Sequence, residues 1–252
     1  RPHRRSMRDG GGDLMDPASI GALTFDVFGT VVDWRSSIIR EGQTFGKPRG
    51  IALDWAKFAD AWRGLYQPAM EEVRSGRRPW VKLDDLHRES LVRLLRDFGV
   101  AGLSPAEVDD LNRAWHRLDP WPDAVAGLTR LKRRYILATL SNGNIALMVN
   151  MAKRAGLPWD TILGAEVARA YKPTPEAYLR SAEALGLRPE QCLMVAAHPN
   201  DLAAAARCGL RTAYVPRPLE HGPGRSADEP DTAQPFDVVA GDFVELAERL
   251  EC

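Results

Sequence analysis

Leu23-Thr24-Phe25-Asp26-Val27-Phe28-Gly29-Thr30-Val31-Val32-Asp33-Trp34 is the stretch on which the fold turns. The apolar run from Gly21 to Phe25 has the length and character of a buried strand. It stops at a carboxylate, Asp26, and Gly29 and Thr30 follow at once. In an open parallel sheet the carboxyl ends of the strands face the ligand crevice, so an Asp at that point is displayed to a ligand. A carboxylate so placed is a candidate covalent nucleophile. The plainer alternative is an Asp that only shapes the turn from strand to loop.

Outward from this stretch the pattern changes period. Residues 36–41, 55–74, 83–98 and 105–117 carry helical spacing, with Trp55, Phe58, Ala59, Trp62, Leu65 and Tyr66 on one face. Ser104 before Pro105 is a helix start, Ser as N-cap and Pro at the first helical position. This block offers no strand, so residues 34–120 read as an inserted helical cap. From Trp121 strands and helices alternate: strands at 135–140, 161–167, 192–197, 212–215 and 236–240, helices at 122–132, 145–155, 175–185, 201–208 and 243–250. Gly156, Gly186 and Gly209 stand where helix C-termini need a left-handed residue. Alternation of this kind implies a parallel sheet. The expected fold is therefore α/β, a Rossmann-like core over residues 16–33 and 121–252 with the cap inserted between. Residues 219–235, rich in Pro, Gly, Asp and Ser, read as an irregular loop. Residues 1–15 are basic and Gly-rich without a signal-peptide core, and read as a disordered extension.

Composition narrows the function classes. The 34 Lys and Arg balance 34 Asp and Glu, which gives no electrostatic case for nucleic acid or an anionic membrane surface. The 3 cysteines, Cys192, Cys208 and Cys252, form no CxxC pair, so neither a disulfide framework nor a zinc site is expected, and a reducing cytoplasm fits. No apolar run approaches the ~20 residues of a membrane span. A homodimer is compatible with the sequence, which does not fix the oligomeric state.

Four strand ends converge on one crevice: Asp26, Ser141 with Asn142, Lys172, and the segment Ala196-Ala197-His198-Pro199-Asn200-Asp201. In this order they resemble the four signature positions of the haloacid dehalogenase superfamily, over nearly all of residues 21–218. The Asp-Val-Phe-Gly-Thr form resembles the type II L-2-haloacid dehalogenases. The phosphatases of that superfamily carry a second Asp where this chain has Phe28. That Asp protonates a leaving alkoxide, whereas a departing halide needs no proton. The magnesium-dependent members place a metal-ligating Asp where this chain has Ala197, and magnesium requires oxygen ligands. The resemblance therefore implies metal-independent carbon–halogen chemistry with no cofactor, a small haloacid as substrate and a halide ion as product.

The resemblance also assigns roles. Asp26 is the nucleophile, and Lys172 neutralises it, as a nearby cation does for any carboxylate. Asp201 orients or deprotonates the hydrolytic water; its alternative role is to cap the following helix. Thr30, Ser141, Asn142 and Tyr178 are expected to bind substrate, although Ser141 and Asn142 would also serve as helix caps and Tyr178 as a core residue. His198 departs from the family's Asn; a neutral imidazole there could share the base role or act as a hydrogen-bonding spacer. Arg63, after Trp62, is the best cap candidate for the leaving halide, with Arg74, Arg77 and Arg78 as rivals. Trp34, Tyr66 and Trp80 could wall the pocket. The reading of the whole is an (S)-2-haloacid dehalogenase acting through an aspartyl ester, fluoroacetate being one of the substrates left open. The rivals are a phosphatase, or an inactive binding protein, on the same scaffold.

Overall fold

A computed structural model describes residues 14–227 and 235–252. The expected extension over 1–15 lies outside these residues apart from Leu14 and Met15, and Met15 packs against the core. The chain opens with β1 (Ala22–Phe25) and the short β2 (Val32–Asp33). Helices α1 (Trp34–Gly46), α2 (Trp55–Gly64), α3 (Tyr66–Arg74), α4 (Leu83–Asp97) and α5 (Pro105–Asn112) follow, and β3 (Asp119–Pro120) closes this block. The remainder alternates: α6 (Ala124–Leu131), β4 (Ile136–Ser141), α7 (Ile145–Ala155), β5 (Thr161–Gly164), α8 (Ala165–Ala168) and α9 (Pro175–Ala184). It ends with β6 (Cys192–Ala196), α10 (Pro199–Arg207), β7 (Arg211–Tyr214), β8 (Val238–Val239) and α11 (Phe243–Arg249).

Six strands form one parallel sheet in the order β5-β4-β1-β6-β7-β8. β1 lies between β4 and β6, and every residue of β1 and β6 is buried. Helices cover both faces of such a sheet, which is why its inner strands read as unbroken apolar runs. The chain leaves β1 toward β4 and β5, then returns to β6 on the other side. That reversal opens a crevice at the carboxyl ends of β1, β4 and β6.

Several helix starts follow local chemistry. Asp33, Asp54 and Asp242 accept backbone N–H groups at the starts of α1, α2 and α11. Ser104 and Glu107 form the reciprocal capping box expected ahead of α5. Each such cap contributes about 1 kcal/mol.

Four expectations are corrected. The helix expected over 55–74 breaks at Leu65 into α2 and α3. The apolar period continues through the bend, so periodicity could not see it; Gly64, with its poor helix propensity, sits at the break. The strand expected over 161–167 ends at Gly164 and turns into α8, and the one over 236–240 shrinks to Val238–Val239. The helical block, read as strand-free, closes with β3 paired antiparallel to β2. Two-residue strands leave no alternation to read. Part of the loop expected over 219–235 lies outside the described residues.

Within the helical block the core is aromatic. Trp115 stacks on Trp34 with centroids 6.3 Å apart and on His87 at 4.6 Å. Trp62 donates from Nε1 to the His87 carbonyl at 3.1 Å. Phe28, from the β1 loop, enters this cluster with edge contacts to Trp115 at 5.8 Å and to Tyr66 at 6.4 Å. Among the described residues no helix is long and apolar enough to cross a membrane.

Candidate active site

The residue beyond the end of β1 is Asp26, 7 % exposed. Its two carboxylate oxygens have different partners. Oδ2 accepts from the Thr30 hydroxyl at 2.6 Å and lies 2.9 Å from His198 Nδ1. Oδ1 accepts from Lys172 Nζ at 3.1 Å. Burial alone would push this carboxyl up, but Lys172 and His198, with hydrogen bonds from His198 and Thr30, hold it well below the usual carboxylate range. It is an ionised carboxylate with Oδ1 as its less encumbered oxygen.

Lys172 follows the β5–α8 segment, and its backbone N–H donates to Asn142 Oδ1 at 2.8 Å. Its ammonium bridges Asp26 and Asp201, at 3.1 Å and 2.7 Å. Burial would lower its pKa; the two carboxylates more than reverse this and raise it, so the charge is held. Asp201, in the first turn of α10, has its other oxygen on the Tyr178 hydroxyl at 2.5 Å. Burial, then Asp201, pushes the Tyr178 phenol up, so it stays a donor. Asn142, held by Lys172, turns its amide nitrogen to the Tyr66 hydroxyl at 3.1 Å.

Asp26, Lys172, Asn142, Tyr178, His198 and Asp201 line one cavity of about 310 Å³, and Arg63 and Tyr66 line it from the helical block. The break at Leu65 lets the end of α2 and the start of α3 both face it. The Arg63 guanidinium lies over the Tyr66 ring at 3.9 Å, and its Nη1 is buried without a hydrogen-bond partner. The rival arginines are engaged elsewhere: Arg74 donates to the Lys172 carbonyl at 2.9 Å, and Arg77 and Arg78 pair with Glu72 and Glu89. A second cavity, of about 380 Å³ beside α10, has Arg207 as its charged lining residue and holds no comparable cluster.

Not every expected residue faces the cavity. Thr30 is fully buried and outside the cavity lining; its hydroxyl donates to Asp26 and accepts from the Ala197 N–H at 2.9 Å, so it fixes the Asp26 carboxylate. Ser141 is also fully buried, and its Oγ accepts from the Gly143 N–H at 3.0 Å, which is the turn role. Trp80 packs at a tilt against Tyr171 at 4.7 Å, outside the cavity lining, and Trp34, also outside it, touches the Glu220 carboxylate.

The expectation of a neutral imidazole at His198 is corrected as well. Nε2 lies 2.7 Å from Glu220 Oε1 while Nδ1 faces Asp26. Both ring nitrogens therefore meet carboxylates. Burial would lower the imidazole pKa, but Asp26 and Glu220 raise it well above its ordinary value, so the resting ring carries its proton.

Sequence reading missed Glu220 and His87. Glu220 is 5 % exposed, lies in the segment after β7, and also accepts from Trp34 Nε1 at 3.4 Å. It packs against Gly29, whose φ of +83° and lack of a side chain admit it; a Cβ there would run into the carboxylate. The pairing of a β1-loop glycine with a remote carboxylate leaves no signal in either segment alone. His87 is fully enclosed with both ring nitrogens unpartnered, and burial, then Arg63, pushes its pKa down to about 3.

No three of His, Cys, Asp and Glu converge as a metal-ligand set among the described residues. The Lys172 ammonium stands between the Asp26 and Asp201 carboxylates.

A family model for haloacid dehalogenase-like hydrolases matches residues 20–209. The (S)-2-haloacid dehalogenase of Xanthobacter autotrophicus is 30% identical over 206 residues, covering 79% of this chain and 76% of that protein. The crystal structure of a defluorinating L-2-haloacid dehalogenase superposes with a TM-score of 0.90 at 47% identity, covering 92% of this chain and 96% of that one. A further L-2-haloacid dehalogenase structure gives 0.88 at 46% identity, with coverage of 92% and 99%. The strand-end carboxylate, the lysine bridge and these matches agree: the chain belongs to the haloacid dehalogenase-like hydrolases, among the L-2-haloacid dehalogenases.

Proposed function

We propose that this protein hydrolyses short (S)-2-haloalkanoates and haloacetates to 2-hydroxy acids, with Asp26 as the covalent nucleophile. The observation that carries this reading is the asymmetry of the Asp26 carboxylate. Oδ2 is held by Thr30 and His198, while Oδ1 has Lys172 alone, and Asp26 lines the cavity. Oδ1 attacks the halogen-bearing carbon from the rear, the carbon–halogen bond breaks, and the configuration inverts. The halide departs toward the unpartnered Arg63 Nη1 and the Asn142 amide. A guanidinium is permanently charged and weakly hydrated, which suits a halide. Water, oriented by Asp201, then cleaves the ester at the Asp26 carboxyl carbon. Phe28 and Ala197 support a halide leaving group and a metal-free site over phosphate transfer. The identity to a defluorinating relative supports testing fluoroacetate as a substrate.

The test is a panel of fluoro-, chloro- and bromoacetate with both 2-chloropropionate enantiomers, run with a chelator. Halide and hydroxy acid in equal amounts are expected, with the L-enantiomer giving the D-product. No halide from any member, together with magnesium-dependent release of phosphate from esters, would reverse the assignment.

A further inference from the structure

We propose that His198, held by Glu220, is an oxyanion-stabilising donor in the hydrolysis of the aspartyl ester, and that Glu220 is its positioning residue. The inference rests on the dehalogenase reading and concerns its second half-reaction. Oδ2 already sits between the Thr30 hydroxyl at 2.6 Å and His198 Nδ1 at 2.9 Å. When Oδ1 has become the ester oxygen, Oδ2 is the carbonyl oxygen, still between the same two donors. Water attacks the Asp26 carboxyl carbon and gives a proton to Asp201. The carbonyl π pair moves onto Oδ2, where the charge meets the imidazolium and the hydroxyl. On collapse the bond to Oδ1 breaks, the departing alkoxide takes the proton from Asp201, and the regenerated Asp26 carboxyl releases the remaining proton to solvent. Donors arranged in advance around such an oxygen give large rate effects.

Glu220 has a specific task in this scheme. Alkylation removes the negative charge of Asp26, which is one of the two carboxylates facing His198. With Asp26 alone, the ring would lose its reason to stay protonated just when the oxyanion forms. Glu220, 2.7 Å from Nε2 and 5 % exposed, keeps the second partner in place through both half-reactions. Trp34 Nε1 donates to the same carboxylate, and the absent side chain at Gly29 makes room for it. The charged groups around the pair are Lys172 on Asp26, with Asp201 beyond it, and His221 and Arg63 near Glu220.

The experiment is rapid-quench turnover of chloroacetate by wild type, Glu220→Gln and His198→Ala, with intact-protein mass measured on quenching. Glu220→Gln preserves the shape of the side chain, and thermal melting checks its fold. For both variants we expect a rapid release of about one halide per site, then steady turnover on the order of 10²-fold slower than wild type, with the carboxymethyl ester of Asp26 accumulating. A protonated donor also fixes the pH sense. Steady turnover should be full at lower pH and fall as pH rises through the His198 pKa, and Glu220→Gln should move that fall to lower pH. Equal slowing of the halide burst and of steady turnover, or neither slowed, would overturn the proposal. A wild-type profile that instead falls toward acid through His198 would make it a base and overturn it too. If wild type itself releases no halide, the dehalogenase reading fails first, and the inference with it.

Discussion

The sheet side and the helical side of the cavity are built to different standards of satisfaction. On the sheet side, Asp26, Lys172, Asp201, His198 and Glu220 are nearly all buried and pair with one another. On the helical side, Arg63 Nη1 is buried with no partner, and so, behind the cavity lining, are both His87 nitrogens and Trp115 Nε1. An unsatisfied buried polar group costs about 1–3 kcal/mol, and at Arg63, which lines the cavity, a ligand or departing group can supply the missing partner. The difference teaches a division of labour. Under the proposed mechanism the sheet side fixes charge before substrate arrives, and Arg63 on the helical side is completed by what arrives.

The hardest test of the sheet side is Asp26→Asn. It should lower turnover by on the order of 10⁴-fold or more; the chain should still fold, as circular dichroism reads, with a lowered melting point because Lys172 and His198 each lose a buried partner. A single wild-type turnover in heavy-oxygen water should give unlabelled hydroxy acid, because its oxygen is Oδ1. Label in that first product would mean direct attack by water and would end the division described above.

Lys172→Met comes next. It strips the cation from two buried carboxylates, a loss of roughly 3–5 kcal/mol in stability, and should nearly abolish turnover. The pH sense is defined: the Asp26 carboxyl is held below its unfolded value of about 3.9. Its contribution is therefore present above that pH and lost as pH falls toward the folded value. Wild-type stability should fall steeply below about pH 4 and that of Lys172→Met more gently, as read by denaturant melts across pH. Parallel curves would show that the lysine does not set the Asp26 charge.

For the helical side, Arg63→Ala should lower kcat more than it raises KM, because a contact with a departing halide strengthens as charge develops. The loss should be about 10²-fold and greater for fluoride than for bromide. Arg63→Lys keeps the charge but not the planar fork and should stay impaired. Normal rates for Arg63→Ala on every haloacetate would move the halide site away from this residue. The smallest expected effect is none: a chelator should leave dehalogenation unchanged, and a strict magnesium requirement would return the phosphatase reading.

What the sequence made legible follows the same boundary. The sheet and the strand-end residues were readable because each site residue directly follows an apolar run: Asp26 after β1, Asn142 after β4, Asp201 just beyond β6. Lys172 had its Lys-Pro turn. Arg63 was readable only through its neighbour Trp62. Three things escaped. The break at Leu65 keeps the apolar period, so it leaves no trace in spacing. The inward role of Thr30 depends on where the Ala197 N–H lies, which only the fold decides. Glu220 sits in a stretch with no periodicity at all, and its meaning depends on a glycine at the far end of the chain.

Phe28 has a further consequence for how this scaffold changes chemistry. Its ring, 2 % exposed, is wedged among Trp115, Tyr66 and His87 of the helical block, and the Arg63 guanidinium lies 5.4 Å from its centre. The position that would carry a proton donor for an alkoxide is thus also a keystone of the contact between the two parts of the molecule. Phe28→Asp would put a carboxyl group among rings and open a hole where they meet. The exchange of one leaving group for another is therefore not a single step in sequence space: the route to phosphate esters passes through a rebuilt lid.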